Sequence, residues 1–361
     1  MATQRCVCSV RPALASSKCL WLRFLLLATF ATICQLAYSQ DCVQCAVTAD
    51  LQEPITTGEW LLTKQVTEVN VLFVAARKGK PVGDLSRDDI SVRDDSKVPA
   101  AILGFRTEQS LPLRVGVAID TSNSVTPRFR FEQAAASAFF QQNMNRKSDL
   151  GFVMGFENHP HITQDFAADP DLLSQGVQRL KIGGGTALYD AVRFACQKLV
   201  HRTEEDSVAR VLVILSDGQN NAGTATLESA VDAAQEAEVT IYTISTNYHS
   251  VYADTPDFEA ENGNKNLRQM AEQTGGRLFR PRSPQEVAKA FVKIGDELRS
   301  RYSVSYKPAD FVPDGRYRTI KIETTKNGEK LEIRARKGYY ARAASSLSSD
   351  DTEEAQASAP H

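Results

Sequence analysis

Beyond residue 39 the sequence has no apolar run approaching the roughly 20 residues that a membrane helix requires, so no membrane span is expected in the mature chain. It also has no basic cluster. With 42 Lys and Arg against 44 Asp and Glu the net charge is −2, and such a chain is a poor ligand for a phosphate backbone, which excludes nucleic acid as a partner. Gly183-Gly184-Gly185 is not followed by the Gly-Lys-Ser/Thr of a phosphate loop, and no Gly-x-Gly-x-x-Gly follows the first strand of the α/β region. Nucleotide binding is therefore not expected. A Gly-x-Ser-x-Gly elbow is missing too, which removes the α/β-hydrolase reading. Histidine is scarce, with five in the chain. His159 and His161 could face one way on an extended segment, but without a third ligand they read as surface residues.

Cysteine is concentrated where it will be lost. Of seven, Cys6, Cys8, Cys19 and Cys34 lie in the first 39 residues. That segment carries Arg5, Arg11, Lys18 and Arg23, no acidic residue, an apolar run from Phe24 to Cys34, and small residues in Ala37-Tyr38-Ser39. It reads as a secretory signal peptide, 1–39, cleaved after Ser39; eleven apolar residues are too few for a comfortable anchor. Cleavage leaves 38 basic residues against 44 acidic ones, a net −6. The mature chain is expected to be exported, periplasmic or extracellular. Cys42-Val43-Gln44-Cys45 has redox-like spacing but sits near the new N-terminus rather than between a strand and a helix. A local disulfide or an unstructured pair is the plainer reading. Cys196 shares a helix face with Val192 and Leu199 and is expected to be a buried thiol.

What the chain does have is a set of apolar runs that end in oxygen-bearing side chains. Val115 to Ile119 has the length and β-branched content of a buried strand, and it runs into Asp120-Thr121-Ser122-Asn123-Ser124. A carboxylate and two hydroxyls at alternate positions on one loop can converge on a point. Their hard oxygens suit Mg²⁺, Mn²⁺ or Ca²⁺ rather than zinc. Alone, Asp-x-Ser-x-Ser is equally the start of a helix. Two further pieces accompany it: Thr186, directly after three glycines and before a helical pattern, and Asp217, at the end of the buried run Val211 to Ser216. In a doubly wound sheet the carboxyl ends of the strands share one crevice, so Asp120, Ser122, Ser124, Thr186 and Asp217 are expected on one edge.

This five-residue set resembles the metal-ion-dependent adhesion site (MIDAS) of von Willebrand factor type A (VWFA) domains, an Asp-x-Ser-x-Ser loop with a separate Thr and a separate Asp. All five positions are present in order, and the resemblance covers roughly residues 112 to 298. It implies a Rossmann-like, mostly parallel sheet that binds a divalent cation, Mg²⁺ or else Mn²⁺ or Ca²⁺. In that family the open coordination position takes a carboxylate from a partner protein, so a cell-adhesion type of protein binding is implied.

The alternation of elements agrees with an α/β fold. Helices are expected at Phe129 to Met144, Pro170 to Leu180, Thr186 to Val200, Leu227 to Ala237, from Leu267 to Gln273, and from Pro284 to Arg301. Strands are expected at Leu150 to Phe156, His161 to Phe166, Arg210 to Ser216, Val239 to Ser245 and Arg277 to Arg280. Asp190, in a helix's first turn, is explained by the helix dipole. Residues 246 to 264 read as a loop at the metal edge, where Asp254, Asp257, Glu259 and Glu261 are either solvated or part of a ligand-proximal surface.

Period-two patterns flank this region on both sides: Val66 to Ala76, Asp89 to Arg93 and Ala101 to Phe105 before it, Tyr302 to Tyr306, Thr319 to Thr324 and Leu331 to Ala335 after it. Neither set closes a core alone. The expected architecture is an α/β domain, 111–300, inserted in a split β-sandwich of 46–110 and 301–342, with a Ser/Ala-rich acidic tail, 343–361, expected to be disordered. The layout, with Gly338-Tyr339-Tyr340 after the domain, is similar to a secreted bacterial VWFA-related family named for the acidobacteria. An enzyme would need a general base near metal-bound water, and the five side chains provide none. A non-enzymatic binding module is thus the first reading. Metal-assisted hydrolysis, or a metal that only pins three loops, are the alternatives.

Overall fold

A computed structural model of the chain describes residues 68–107, 111–144, 146–200, 208–247 and 258–341. The leader, Cys42, Cys45, Asp254, Asp257 and the tail 343–361 lie outside the described residues. In chain order the elements begin with strands β1 (Val69–Arg77), β2 (Lys80–Pro81), β3 (Ile90–Asp94) and β4 (Ala101–Thr107). The α/β region follows: β5 (Leu113–Asp120), α1 (Phe129–Asn143), β6 (Leu150–Phe156), β7 (Pro160–Ala167), α2 (Pro170–Gln178), α3 (Leu188–Val200), β8 (Ala209–Ser216), α4 (Leu227–Glu236), β9 (Val239–Ser245), α5 (Phe258–Gln273), β10 (Leu278–Phe279) and α6 (Pro284–Leu298). The chain then returns to β11 (Arg301–Lys307), β12 (Tyr317–Lys326), β13 (Glu329–Lys330), β14 (Glu332–Ala335) and β15 (Gly338–Tyr340).

The central sheet has the order β10-β9-β8-β5-β6-β7. All its pairings are parallel except the edge strand β7, which runs antiparallel to β6. Strand β5 is buried at every residue, as a strand covered on both faces must be. Val115, Val117 and Ile119 point to a core shared with Phe139 and Phe140 of α1, Leu173 and Val177 of α2, and Phe291 and Ile294 of α6. Ala118 faces the other way, toward Leu188, Val192 and Cys196 of α3, Ala230 of α4, and Leu267 and Met270 of α5. Cys196 is a buried free thiol, and burial pushes its pKa up to about 12. The reversal of strand order at β5, with β6 on one side and β8 on the other, places a crevice at the carboxyl end of β5.

The flanking strands from both ends of the described chain form two antiparallel sheets. One has the order β14-β1-β11-β4, and the other β13-β12-β15 with β3 also on β12. Their inner faces share a core of Val71, Phe73, Tyr302, Val304, Ile320, Ile322 and Leu331. Asp94, 6% exposed, accepts hydrogen bonds from the hydroxyls of Tyr306 at 2.8 Å and Tyr339 at 2.9 Å. One carboxylate from before the α/β region is thereby joined to two strands from after it.

Most boundaries shift by one or two residues from the sequence reading, and two shift by more. Helix α5 starts at Phe258, so Glu259 and Glu261 stand in a helical first turn rather than in a loop. The stretch Glu261 to Asn266 is too polar to show helical periodicity, yet acidic side chains are favoured where the dipole's positive end lies. Helix α6 ends at Leu298, and Arg301 opens β11.

Gly116 shows how tightly the sheet is covered: a Cβ there would lie 2.4 Å from the Phe152 ring, whereas one at Gly83 would meet nothing within 4 Å. Gly116→Ala is expected to destabilise the protein by about 1–3 kcal/mol through overpacking, with Gly83→Ala within about 0.5 kcal/mol of wild type. Urea denaturation of the two variants checks this; equal stabilities would contradict the packing described.

Candidate metal centre

Asp120 is the last residue of β5 and is fully buried. Its Oδ1 accepts the backbone N–H of Ser122 at 2.9 Å, and its Oδ2 accepts the hydroxyl of Ser216 at 2.8 Å. Both donors are uncharged. Burial raises the Asp120 pKa from its usual value to about 6; the negative charge of Asp217 adds to the rise, while the hydrogen bonds from Ser122 and Ser216 act against it. The Ser122 and Ser124 hydroxyls are 3.0 Å apart, and Ser124 Oγ lies 3.5 Å from Asp217 Oδ2. The first loop and the end of β8 thus meet through their oxygens. Asp217 Oδ1 accepts the N–H of Gln219 at 3.0 Å.

Thr186 arrives on a third loop whose backbone is laced to the first. Gly183 N–H donates to Thr121 O at 2.8 Å, and Asn123 N–H donates to Gly184 O at 3.3 Å. Gly184 has φ +71°, a left-handed conformation that glycine adopts without strain. Thr186 is buried, and Asn221 clamps it from both sides. Its N–H donates to Asn221 Oδ1 at 2.7 Å, and its carbonyl accepts from Asn221 N–H at 2.9 Å. The three loops carrying the five residues therefore form one hydrogen-bonded edge. His161 lies aside, with Nδ1 3.2 Å from Glu157. His159 is exposed. Asp190 does not face this edge; it accepts from the N–H groups of Thr224 and Ala225 at 2.8 and 3.3 Å.

The donor set fits a hard dication. Among the described residues no three His, Cys, Asp or Glu side chains cluster as metal ligands, so a cation at this edge would be held by two carboxylates together with hydroxyls. That combination suits Mg²⁺, Mn²⁺ or Ca²⁺.

Several supporting residues escaped the sequence reading. Ser216, whose hydroxyl bonds Asp120, was read only as the end of a strand. Glu157 accepts the Thr121 hydroxyl at 2.9 Å, and Asn158 accepts the Gly185 N–H at 2.9 Å. Asn247 donates its side-chain amide to the Asp217 carbonyl at 2.8 Å. The polar run Gln219-Asn220-Asn221 after Asp217-Gly218 was the available signal for Asn221. Beneath Asp217, Gly263 of α5 comes so close that a Cβ on it would lie 2.0 Å from the Asp217 carbonyl.

Residues 115–293 match the family model of the von Willebrand factor type A domain. No curated protein matches the chain. Among solved structures, a von Willebrand factor type A protein from Catenulispora acidiphila is 13% identical, over 71% of this chain and 73% of its own, with a TM-score of 0.44. The vWF domain of the type V pili tip protein Mfa5 from Porphyromonas gingivalis is 17% identical, over 51% and 94%, with a TM-score of 0.40. An aerotolerance-related membrane protein from Bacteroides fragilis is 17% identical, over 52% and 98%, with a TM-score of 0.41.

A raised folded-state pKa has a definite sign in stability. The native state free of metal binds a proton at Asp120 that the unfolded chain has released, so Asp120's contribution is most favourable below pH 3.8 and is lost as pH rises through about 6. The loss amounts to roughly 3 kcal/mol at 1.36 kcal/mol per pKa unit. In chelator, Asp120→Asn is expected to lack this part of the pH dependence between pH 4 and 7. Parallel stability profiles for wild type and Asp120→Asn would contradict the buried, uncompensated carboxylate.

Proposed function

Residues 115–293 are a von Willebrand factor type A domain, and on that premise we propose that the protein is an exported module that binds a partner protein through a divalent cation. Asp120, Ser122, Ser124, Thr186 and Asp217 would hold the cation, Mg²⁺ or else Mn²⁺ or Ca²⁺, some of them through water. The observation that carries this reading is the contact chain from Asp120 through Ser122 and Ser124 to Asp217, in which two carboxylates approach one another with hydroxyls between them. Uncompensated carboxylates at close range repel, and a cation relieves that repulsion.

Charge accounting then points to the partner's chemistry. With only one of Asp120 and Asp217 in direct contact, the cation keeps positive charge toward its open position and attracts a carboxylate side chain from the partner. Hydrolysis is the weaker reading because a further carboxylate on this edge, Glu157, is engaged with the Thr121 hydroxyl and with His161. Export rests on the basic and apolar leader. No helix among the described residues is long and apolar enough to cross a membrane.

Mg²⁺ or Mn²⁺ is expected to raise the melting temperature of the wild type but not of Asp120→Ala. At a hundredfold excess over the dissociation constant the stabilisation is about 2.7 kcal/mol. A pull-down from an extracellular fraction is expected to lose its partner both in chelator and in Asp120→Ala. A partner retained under both conditions would overturn metal-dependent capture, and equal metal-induced shifts in the two proteins would overturn the site.

A further inference from the structure

Helix α3 turns one stripe of side chains away from the core. Leu188, Val192 and Cys196 are buried against the sheet, so Asp190, Arg193, Phe194 and Gln197, spaced by three and four, share the outward face. That face is the floor of an open cleft of about 350 Å³. One wall is the turn Asn158-His159-Pro160 between β6 and β7, and the other is the segment 222–224 ahead of α4. Both walls are fastened to the loop that carries Thr186. Asn158 Oδ1 accepts the Gly185 N–H at 2.9 Å, and the Ala222 N–H donates to the Thr186 carbonyl at 3.1 Å. The cleft therefore opens beside the candidate metal centre.

The two charged side chains that α3 gives to the cleft are in different states. Asp190 is committed to the fold. Its Oδ2 accepts the N–H groups of Thr224 at 2.8 Å and Ala225 at 3.3 Å, and its Oδ1 the Thr224 hydroxyl at 3.4 Å. Gly223 is pressed so close that a Cβ there would lie 2.0 Å from Asp190 Oδ2. Arg193 is exposed, and its guanidinium has no ion pair or hydrogen bond among the described residues. Next to it Phe194 is 37% exposed, an apolar face that the fold leaves partly uncovered.

We propose that this cleft is a second subsite for the partner, taking a further acidic side chain near the one at the cation; the inference rests on the metal-dependent capture proposed above. A guanidinium holds a carboxylate in two parallel hydrogen bonds, and Phe194 offers a surface to the methylene stem behind it. Asp190, with its oxygens already engaged, does not occupy Arg193. Spacing follows from the helix. Arg193 lies five residues beyond Leu188, the first residue of α3, or roughly 8 Å along the axis. An extended peptide covers that distance in about three residues. The partner fitted to this surface is an extended acidic segment with two carboxylates at that separation, rather than an isolated one.

The test is titration of the full chain, in Mg²⁺, with acetylated and amidated peptides that carry Asp, then one to four Gly, then Glu, Gln or Lys. Affinities are read from the protein's amide resonances. At the best spacing the Glu peptide is expected to bind roughly fivefold tighter than the Gln peptide, and Arg193→Gln is expected to bring the two affinities together. Equal affinities at every spacing would overturn the proposal, and so would an undiminished advantage in Arg193→Gln. A Lys peptide bound more tightly than the Glu peptide would assign the cleft to Asp190 and overturn it as well. Chelator judges the metal separately. Binding of the Gln peptide retained in chelator would contradict the cation, whereas a Glu advantage that depends on Arg193 supports the cleft with or without metal. Failure of every peptide to bind in Mg²⁺ would overturn both.

Discussion

Two carboxylates, Asp120 at the end of β5 and Asp217 just after β8, are held at one sheet edge, and Asp120 is fully buried with only uncharged donors on its oxygens. Everything around that edge can be understood as the means of enforcing the arrangement. The parallel order β9-β8-β5-β6 brings the carboxyl ends of the strands together. Cross-loop backbone bonds from Gly183 to Thr121 and from Asn123 to Gly184 then lock Thr186's loop to that of Asp120. Gly218, at φ +83°, and Gly263 let α5 press its backbone against the Asp217 carbonyl. Side-chain amides finish the work, Asn221 on Thr186 and Asn247 on Asp217. An arrangement preorganised in this way has already met much of the ordering cost of binding a cation.

The flanking sheets are bound to the α/β region through polar as well as apolar contacts. Their own core closes only because strands from both sides of the α/β region share it, with Asp94 linked to Tyr306 and Tyr339. At the junction Leu72 packs on the core beneath α6, while Glu297 draws arginines from both sides. Helix α6 therefore ends in an ionic contact with the sheet that follows it rather than in a loose linker.

Much of this was legible in the sequence, for identifiable reasons. Leu150–Phe156 and Val239–Ser245 are short apolar runs buried on both faces, and their observed bounds match the expected ones residue for residue. The five oxygen-bearing positions could be picked out because Asp120 and the two serines begin the loop after one apolar run, Thr186 follows a glycine run, and Asp217 closes a second apolar run. The first half of helix α5 was not legible, since it is polar and its place is fixed by the contact of Gly263 with Asp217. Nor were Ser216's bond to Asp120, 96 residues away, or the Tyr339 bond to Asp94, 245 residues away. Local periodicity carries no information about such pairings; only the closed fold determines them. The convergence of Arg277 and Arg334 on Glu297 belongs to the same class.

The central claim is that one hard dication is shared by loops from β5, β8 and the segment before α3. Equilibrium Mn²⁺ binding followed by electron paramagnetic resonance tests it most directly, on the wild type and on Asp120→Asn, Thr186→Val and Asp217→Asn. The account predicts one site per chain, displaced by Mg²⁺, and weakened at least tenfold by each substitution with the fold retained by circular dichroism. Wild-type stoichiometry and affinity kept in Thr186→Val and Asp217→Asn, or no Mn²⁺ bound by the wild type, would contradict it.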